Sequence, residues 1–264
     1  MAKKEKYVSI KPDQQGYVRY SVAENRIWKD LCARQYHIIQ NRACHEFIVG
    51  LNKLQLNQEA IPQIPDINAK LKACTGWEVA PVPALIDFER FFDLLSKRKF
   101  PAATFIRRRE DFDYLQEPDI FHEIFGHCPL LTNPIFADFA QHYGELGKKA
   151  SPKERLFLAR LYWFTVEFGL IQTPEGLRVY GGGILSSVGE TQYALESNTP
   201  KRQRFNLMDI LRTPYRIDIF QPIYFVINTY QQLYDVMQKD ILQEVKNAHT
   251  LGLYPPLYKK NQTP

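Results

Sequence analysis

Apolar residues recur at helical spacing along most of the chain, and strict alternation of the kind a half-buried strand shows is scarce. Ile27, Leu31, Tyr36, Ile39, Cys44 and Ile48 predict a helix over residues 23–49, after a polar stretch, residues 1–22, that predicts an extended arm. Pro62 and Pro65 interrupt the chain before a helix over about 66–74, and Ala80-Pro-Val-Pro-Ala84 predicts a rigid loop. Asp87 is placed to cap a helix reaching about Lys97, and the short apolar run 102–107 predicts a strand. Pro134 opens a helix to about Lys148. Ser151-Pro152, a hydroxyl cap followed by proline at the first helical position, opens another that runs through Glu167 to near Gly169. Thr173-Pro-Glu-Gly176 predicts the turn of a small hairpin ending near Tyr180, and helices over about 185–196 and 222–248 follow. The fold class is therefore mainly α, with a few short strands in a single domain spanning 23–264.

Composition narrows the picture. A chain of 264 residues with 45% hydrophobic content can bury a sizeable core, and 17 Phe with 15 Tyr predict a core and pocket rich in rings. The net charge of +5 is mild, and the basic runs Lys3-Lys4-Glu5-Lys6, Lys97-Arg98-Lys99 and Arg107-Arg108-Arg109 are short, so no nucleic-acid partner is expected. Cys32, Cys44, Cys74 and Cys128 form no C-x-x-C pair. With no signal peptide and no apolar segment long enough to span a bilayer, a reduced, cytoplasmic location is expected.

The chemistry concentrates in Glu117-Pro-Asp-Ile-Phe-His122-Glu123-Ile-Phe-Gly126-His127. Histidines at i and i+4 share a helix face and suit zinc; at i+5 a regular helix turns the second ring about 140° away. Both rings reach one metal only if the helix changes between them. Gly126, with Pro129 beyond it, predicts that His122 ends a helix and His127 lies in the exit loop. Glu167 sits in the aromatic run Leu161-Tyr-Trp-Phe-Thr-Val-Glu167-Phe-Gly, where an unpaired carboxylate is costly and calls for a metal, an arginine or a proton. Two imidazoles and one carboxylate are the donor set of non-haem Fe(II) sites that activate oxygen. A zinc hydrolase with Glu123 as general base is the other metal reading. Gly181-Gly182-Gly183 lacks a phosphate-binding spacing and predicts close backbone approach instead.

Four segments together resemble the pterin-dependent aromatic amino acid hydroxylases, above all the bacterial members that act on phenylalanine: Pro118-Asp-Ile-Phe-His122-Glu-Ile-Phe-Gly-His127, Tyr162-Trp-Phe-Thr-Val-Glu167-Phe-Gly, Tyr180-Gly-Gly-Gly-Ile-Leu-Ser186-Ser-Val-Gly-Glu190, and Phe220-Gln-Pro. The likeness runs from about Tyr20 to about Ala248. It implies a basket of helices and an enzyme that uses Fe(II), O2 and tetrahydrobiopterin or a related reduced pterin to convert L-phenylalanine to L-tyrosine. It implies His122, His127 and Glu167 as iron ligands and Arg107 as the grip on the substrate carboxylate. Ser186, Gly183, Pro118 and Trp163 fall on substrate-binding positions. Phe91, or in the neighbouring register Phe92, falls on the ring that stacks on the pterin, and Glu123 on an acidic residue that faces it. The substrate-selecting position counts to Ile217, with Asp218 one step away. The chain is too short for the regulatory domain and tetramerisation tail of animal members, so a monomer or small homo-oligomer is expected.

Overall fold

Side-chain caps set where the helices begin. In the computed structural model, which describes residues 7–56, 58–83 and 85–258, helix α1 (Val22–Ile38) starts at a reciprocal pair: Ser21 Oγ accepts the Glu24 N–H, and Glu24 accepts the Ser21 N–H. The single helix expected over 23–49 is two. α1 stops at Ile38, Asn41 takes a left-handed conformation at φ 58°, and α2 (His45–Leu54) starts anew. Between them Val179 N–H donates to Arg42 O at 2.8 Å and Cys44 N–H to Val179 O at 2.9 Å. The apolar spacing survives the break because Trp28, Leu31 and Cys32 of α1 and Phe47, Leu51 and Leu54 of α2 enter one core. Of the expected arm, residues 1–6 lie outside the described residues. From Tyr7 to Tyr20 the chain is irregular, with a turn at 13–17, and is bonded to the body, with Ser9 Oγ donating to Val82 O at 2.8 Å.

After α3 (Ile64–Thr75) comes β1 (Glu78–Val82), where a loop was expected over 80–84; Ala84 of that stretch is outside the described residues. Helix α4 (Phe88–Ser96), capped by Asp87 as expected, leads into β2 (Lys99–Ala103), three residues earlier than the predicted strand at 102–107. β1 and β2 pair in parallel from Glu78↔Lys99 to Val82↔Ala103. Pro81 and Pro101 are tolerated because each strand has one partner and an open side.

Two wide, π-type turns follow, Phe121–His127 and, past α5 (Pro134–Lys149) and α6 (Pro152–Tyr162), Trp163–Glu167. Both α starts were legible: Asn133 and Ser151 cap, and proline occupies the first turn. The expected hairpin is β3 (Leu170–Thr173) with β4 (Gly176–Val179). The helix expected over 185–196 is divided into α7 (Gly182–Leu185) and α8 (Val188–Glu196), the second capped by Ser187. β5 (Lys201–Arg204), a polar strand with a mostly exposed face, was not foreseen; α9 (Leu207–Arg212) follows it. The helix expected over 222–248 begins instead as β6 (Ile223–Ile227), then α10 (Tyr230–Met237) and α11 (Ile241–Leu251). β6 is central in the sheet β4-β3-β6-β5, parallel to both neighbours and buried on both faces, so its residues read as a continuous apolar run rather than an alternating one.

The core holds the first π-type turn from beneath. Phe121 and Phe125 stack at 4.9 Å; Trp28 of α1 meets Phe121 edge-on at 5.5 Å, and Tyr36 meets Phe125 at 5.4 Å. Such pairs contribute about 0.5–1.5 kcal/mol each beyond their buried area. They fix the side of the turn that faces away from the histidines.

Candidate metal centre

His127 is not in an exit loop. The chain does not end its helix at Gly126; it widens it. Closing each turn on the fifth residue rather than the fourth brings residues five apart onto one face, and His122 and His127 both lie within that widened segment. Gly126 has a different task from a helix stop. A Cβ there would meet Gly182 O at 2.7 Å, so the bare glycine lets α7 press against the turn. Glu167 closes the second widened segment, in which the Phe168 N–H reaches Trp163 O at 2.8 Å.

The three side chains converge. His122 Nε2 lies 3.1 Å from His127 Nε2, and Glu167 Oε2 lies 3.7 Å and 3.4 Å from the two nitrogens. Donors about 2.1 Å from an octahedral ion stand about 3.0 Å apart at right angles, close to the spacing seen. Ser186 Oγ donates to Gly182 O at 2.9 Å, so the His122 Nδ1–H is what it accepts at 2.9 Å, leaving His122 Nε2 a bare lone pair. Burial pushes the His122 imidazolium down to about 4, which keeps the ring neutral. Burial works to raise the Glu167 carboxyl, but the two histidines outweigh it and hold the group below its usual range. A proton can be shared by two of these atoms; a divalent cation satisfies all three, so the residues fit a metal on one face.

Glu123 is the rival third donor, since its carboxylate also falls within 4.8 Å of both rings. Burial, with Glu167 and Asp119 nearby, raises its carboxyl well above the usual range, which disfavours the anion a metal prefers and makes it the poorer ligand. The triple glycine makes the close approach expected of it: a Cβ on Gly182 would sit 2.4 Å from His127 Nδ1, and one on Gly183 2.8 Å from Glu167 Oε2.

Arg107 is buried and locked to fully buried Asp119, through Nε to Oδ2 at 2.8 Å and Nη2 to Oδ1 at 2.9 Å. Asp119 Oδ1 also accepts the His122 N–H at 3.0 Å, so one carboxylate ties the arginine to the first histidine's backbone. Pro118, half-buried, precedes it. Phe91 keeps part of its surface exposed and meets Tyr162 edge-on at 5.2 Å, whereas Phe92 is fully buried against Tyr143 and has no face to offer a ligand. Trp163 lies between Phe168 and Tyr215, each at 4.4 Å. Ile217 is 51% exposed, and Asp218 is taken up by Arg216 at 2.5 and 2.9 Å.

Sequence reasoning gave Asp119, Gln221 and Glu190 no role, although all three fall in the segments that carry the resemblance. A carboxylate in the run Pro-Asp119-Ile-Phe was the available signal for the first. Glu190 is buried at 5% exposure and accepts from the Tyr224 hydroxyl and from the Gln221 N–H at 3.0 Å. Burial outweighs those bonds and pushes its carboxyl up from 4.5 to about 7. Between those values the folded chain keeps a proton the unfolded chain has lost, so this group erodes stability as pH rises. Glu190→Gln keeps the accepting oxygen and has no proton to lose. Its stability relative to the parent should grow by about 3 kcal/mol between pH 4.5 and pH 8. Urea melts at both pH values check this; the same offset at each would refute it.

A helical basket around two imidazoles and a carboxylate defines a mononuclear non-haem metalloprotein class. The sequence profile of the biopterin-dependent aromatic amino acid hydroxylases matches residues 6–256. The chain is 55% identical over 256 residues to the phenylalanine-4-hydroxylase of Pseudomonas aeruginosa, covering 97% of each. Its structure superposes on the apo form of the cold-active phenylalanine hydroxylase of Colwellia psychrerythraea 34H with a TM-score of 0.93 at 54% identity, covering 95% of this chain and 97% of that one. It superposes on the Chromobacterium violaceum phenylalanine hydroxylase with bound Fe(III) with a TM-score of 0.88 at 43% identity, covering 92% and 91%. The chain belongs to the biopterin-dependent aromatic amino acid hydroxylases.

Proposed function

We propose that this chain is a monooxygenase that hydroxylates L-phenylalanine to L-tyrosine, with one oxygen atom of O2 entering the ring and the other leaving on a tetrahydropterin. The observation that carries the reading is the convergence of three acceptors, 3.1 to 3.7 Å apart, in a chain so similar to phenylalanine hydroxylases. Ferrous iron, held by His122, His127 and Glu167, supplies when bound the redox chemistry that the protein's own groups lack.

The residues bind, orient and exclude water. Asp119 occupies the Nε and Nη2 side of Arg107, which leaves the Nη1 side for the substrate carboxylate. Ser186 fixes the His122 tautomer and, with Gly183, borders the amino acid head. Trp163 and Pro118 wall the substrate ring. Phe91 offers its open face to the pterin, and Glu123, whose carboxyl burial pushes up, faces the pterin edge. Burial of Arg107, Ser186 and Glu123 limits water beside the reacting atoms.

Residues 23–264 form the catalytic domain on this reading, with 1–22 as an arm. The chain acts as a monomer or small homo-oligomer in the cytoplasm. That location agrees with four unpaired cysteines. Among the described residues no helix is long and apolar enough to cross a membrane.

Anaerobic loading with Fe(II), followed by L-phenylalanine, a synthetic tetrahydropterin and O2, should yield tyrosine with a strict need for all four. A metal-loaded protein that oxidises pterin equally well with and without phenylalanine, and makes no tyrosine, would overturn the reading. Tyrosine and tryptophan offered in place of phenylalanine test the choice of substrate.

A further inference from the structure

Trp163 is flanked by two rings, but stacking alone leaves an indole free to slide and turn in its own plane. A directional bond adds an in-plane restraint: the indole N–H donates to Gln221 Oε1 at 3.0 Å. Gln221 is 1% exposed, and its amide has no slack. Both Nε2 protons are spent, on Arg216 O at 2.8 Å and Ile219 O at 2.9 Å, so the amide oxygen must face the indole. The Gln221 backbone N–H is in turn held by Glu190, itself held by Tyr224.

Each link lies on a different element. Trp163 opens the turn that ends at Glu167, Gln221 lies just before β6, and Glu190 is on α8. Stability alone does not call for so much. A partly exposed tryptophan could give its N–H to water, whereas this one is tied to an amide that nothing else can reorient.

We propose that Gln221 is a positioning residue for the hydroxylation, setting the in-plane angle of Trp163 and through it the seat of the substrate ring, with Glu190 as its anchor. The proposal rests on the reading of Trp163 as a wall of the ring pocket. A wall rotated in its plane would still admit phenylalanine, but more loosely. The ring would then meet the oxidant less often while pterin is still consumed.

Two substitutions break the same bond from opposite ends. Gln221→Met removes the acceptor at similar volume, together with the two amide donors; Trp163→Phe removes the N–H with the pyrrole part of the indole and keeps a stacked ring. Each should raise the KM for phenylalanine, and the Kd for L-phenylalanine measured anaerobically by calorimetry on the iron-loaded protein, by about tenfold. Each should also lower the tyrosine formed per pterin oxidised, while bound iron per chain and the KM for the pterin stay the same. The double variant should be less damaging than the sum of the two single ones, because the N–H to Oε1 bond can be lost only once. Should Gln221→Met fail to fold, Trp163→Phe carries the test alone. Trp163→Ala separates the two levels. If it weakens phenylalanine binding while Trp163→Phe, and Gln221→Met where it folds, leave the Kd and the coupling ratio unchanged, the positioning role of Gln221 is wrong and the pocket reading stands. If Trp163→Ala has no effect, the pocket reading itself is wrong and the proposal goes with it.

Discussion

Replacing His122, His127 or Glu167 with alanine should reduce bound iron to near zero and hydroxylation by at least about a thousandfold, whichever residue is changed. Each substitution leaves two donors where the geometry offers three at 3.1 to 3.7 Å. A bound metal is worth several kcal/mol to a reaction's transition state, and every 1.4 kcal/mol or so is tenfold in rate. The sharper comparison is between the two glutamates. Glu167→Gln removes a carboxylate aimed at both imidazoles and held below its usual range, whereas Glu123→Gln replaces a carboxyl that burial pushes up, away from the anion a metal prefers. Iron content by elemental analysis should collapse in the first and survive in the second. The reverse pattern would make Glu123 the third ligand and leave Glu167 as a buried partner of the histidines.

That assignment was open to sequence reasoning in part, and the division has a physical cause. Ser151-Pro152 and Asn133-Pro134 are local devices: a cap and a proline act on the next turn of the chain wherever it goes, so the starts of α6 and α5 could be read directly. The spacing of His122 and His127 was visible as an anomaly. Its resolution was not, because a helix that ends and a helix that widens both bring i and i+5 together, and Gly126 with Pro129 argued for the ending. Gly126 serves another purpose, the close approach of the Gly182 carbonyl, a contact made 56 residues away in the chain. The same holds for Ile223–Ile227. A run of five apolar residues looks alike in a buried strand and a buried helix, and the pairing with β3 and β5 that selects the strand is remote. Gln221 and Asp119 were missed for a related reason. A buried polar side chain is explained by its partner, and the side-chain partners here, Arg107 for Asp119 and Trp163 for Gln221, lie 12 and 58 residues off.

Asp119→Ala should be the most damaging change outside the three ligands, because it takes away the only charge that compensates Arg107 in the bonds described. Arg107 and Asp119 have side chains 8% and 0% exposed, and the carboxylate accepts from Arg107 Nε and Nη2, the Arg107 backbone N–H and the His122 N–H. Removing one partner of such a pair strands the other charge, at a cost of about 3–5 kcal/mol. For a chain of this size that corresponds to a melting temperature lower by roughly 10 °C. Burial tends to raise the Asp119 carboxyl, but Arg107 and the two N–H donors overcome it and hold the group below its usual range. The pair's stabilisation is therefore complete at neutral pH and is lost only on strong acidification. The functional loss should be as large. A guanidinium no longer held at Nε and Nη2 can turn away from the substrate carboxylate, so the KM for phenylalanine should rise well over tenfold, more than kcat falls. Asp119→Asn retains the oxygen and should fall between the parent and alanine. The decisive measurement is the double variant Arg107→Ala/Asp119→Ala. With both charges gone the core holds no uncompensated ion, and its melting temperature should recover part of what Asp119→Ala loses, although phenylalanine binding does not return. If the two single changes instead add, the pair is not coupled, and Asp119 serves the His122 backbone rather than the arginine.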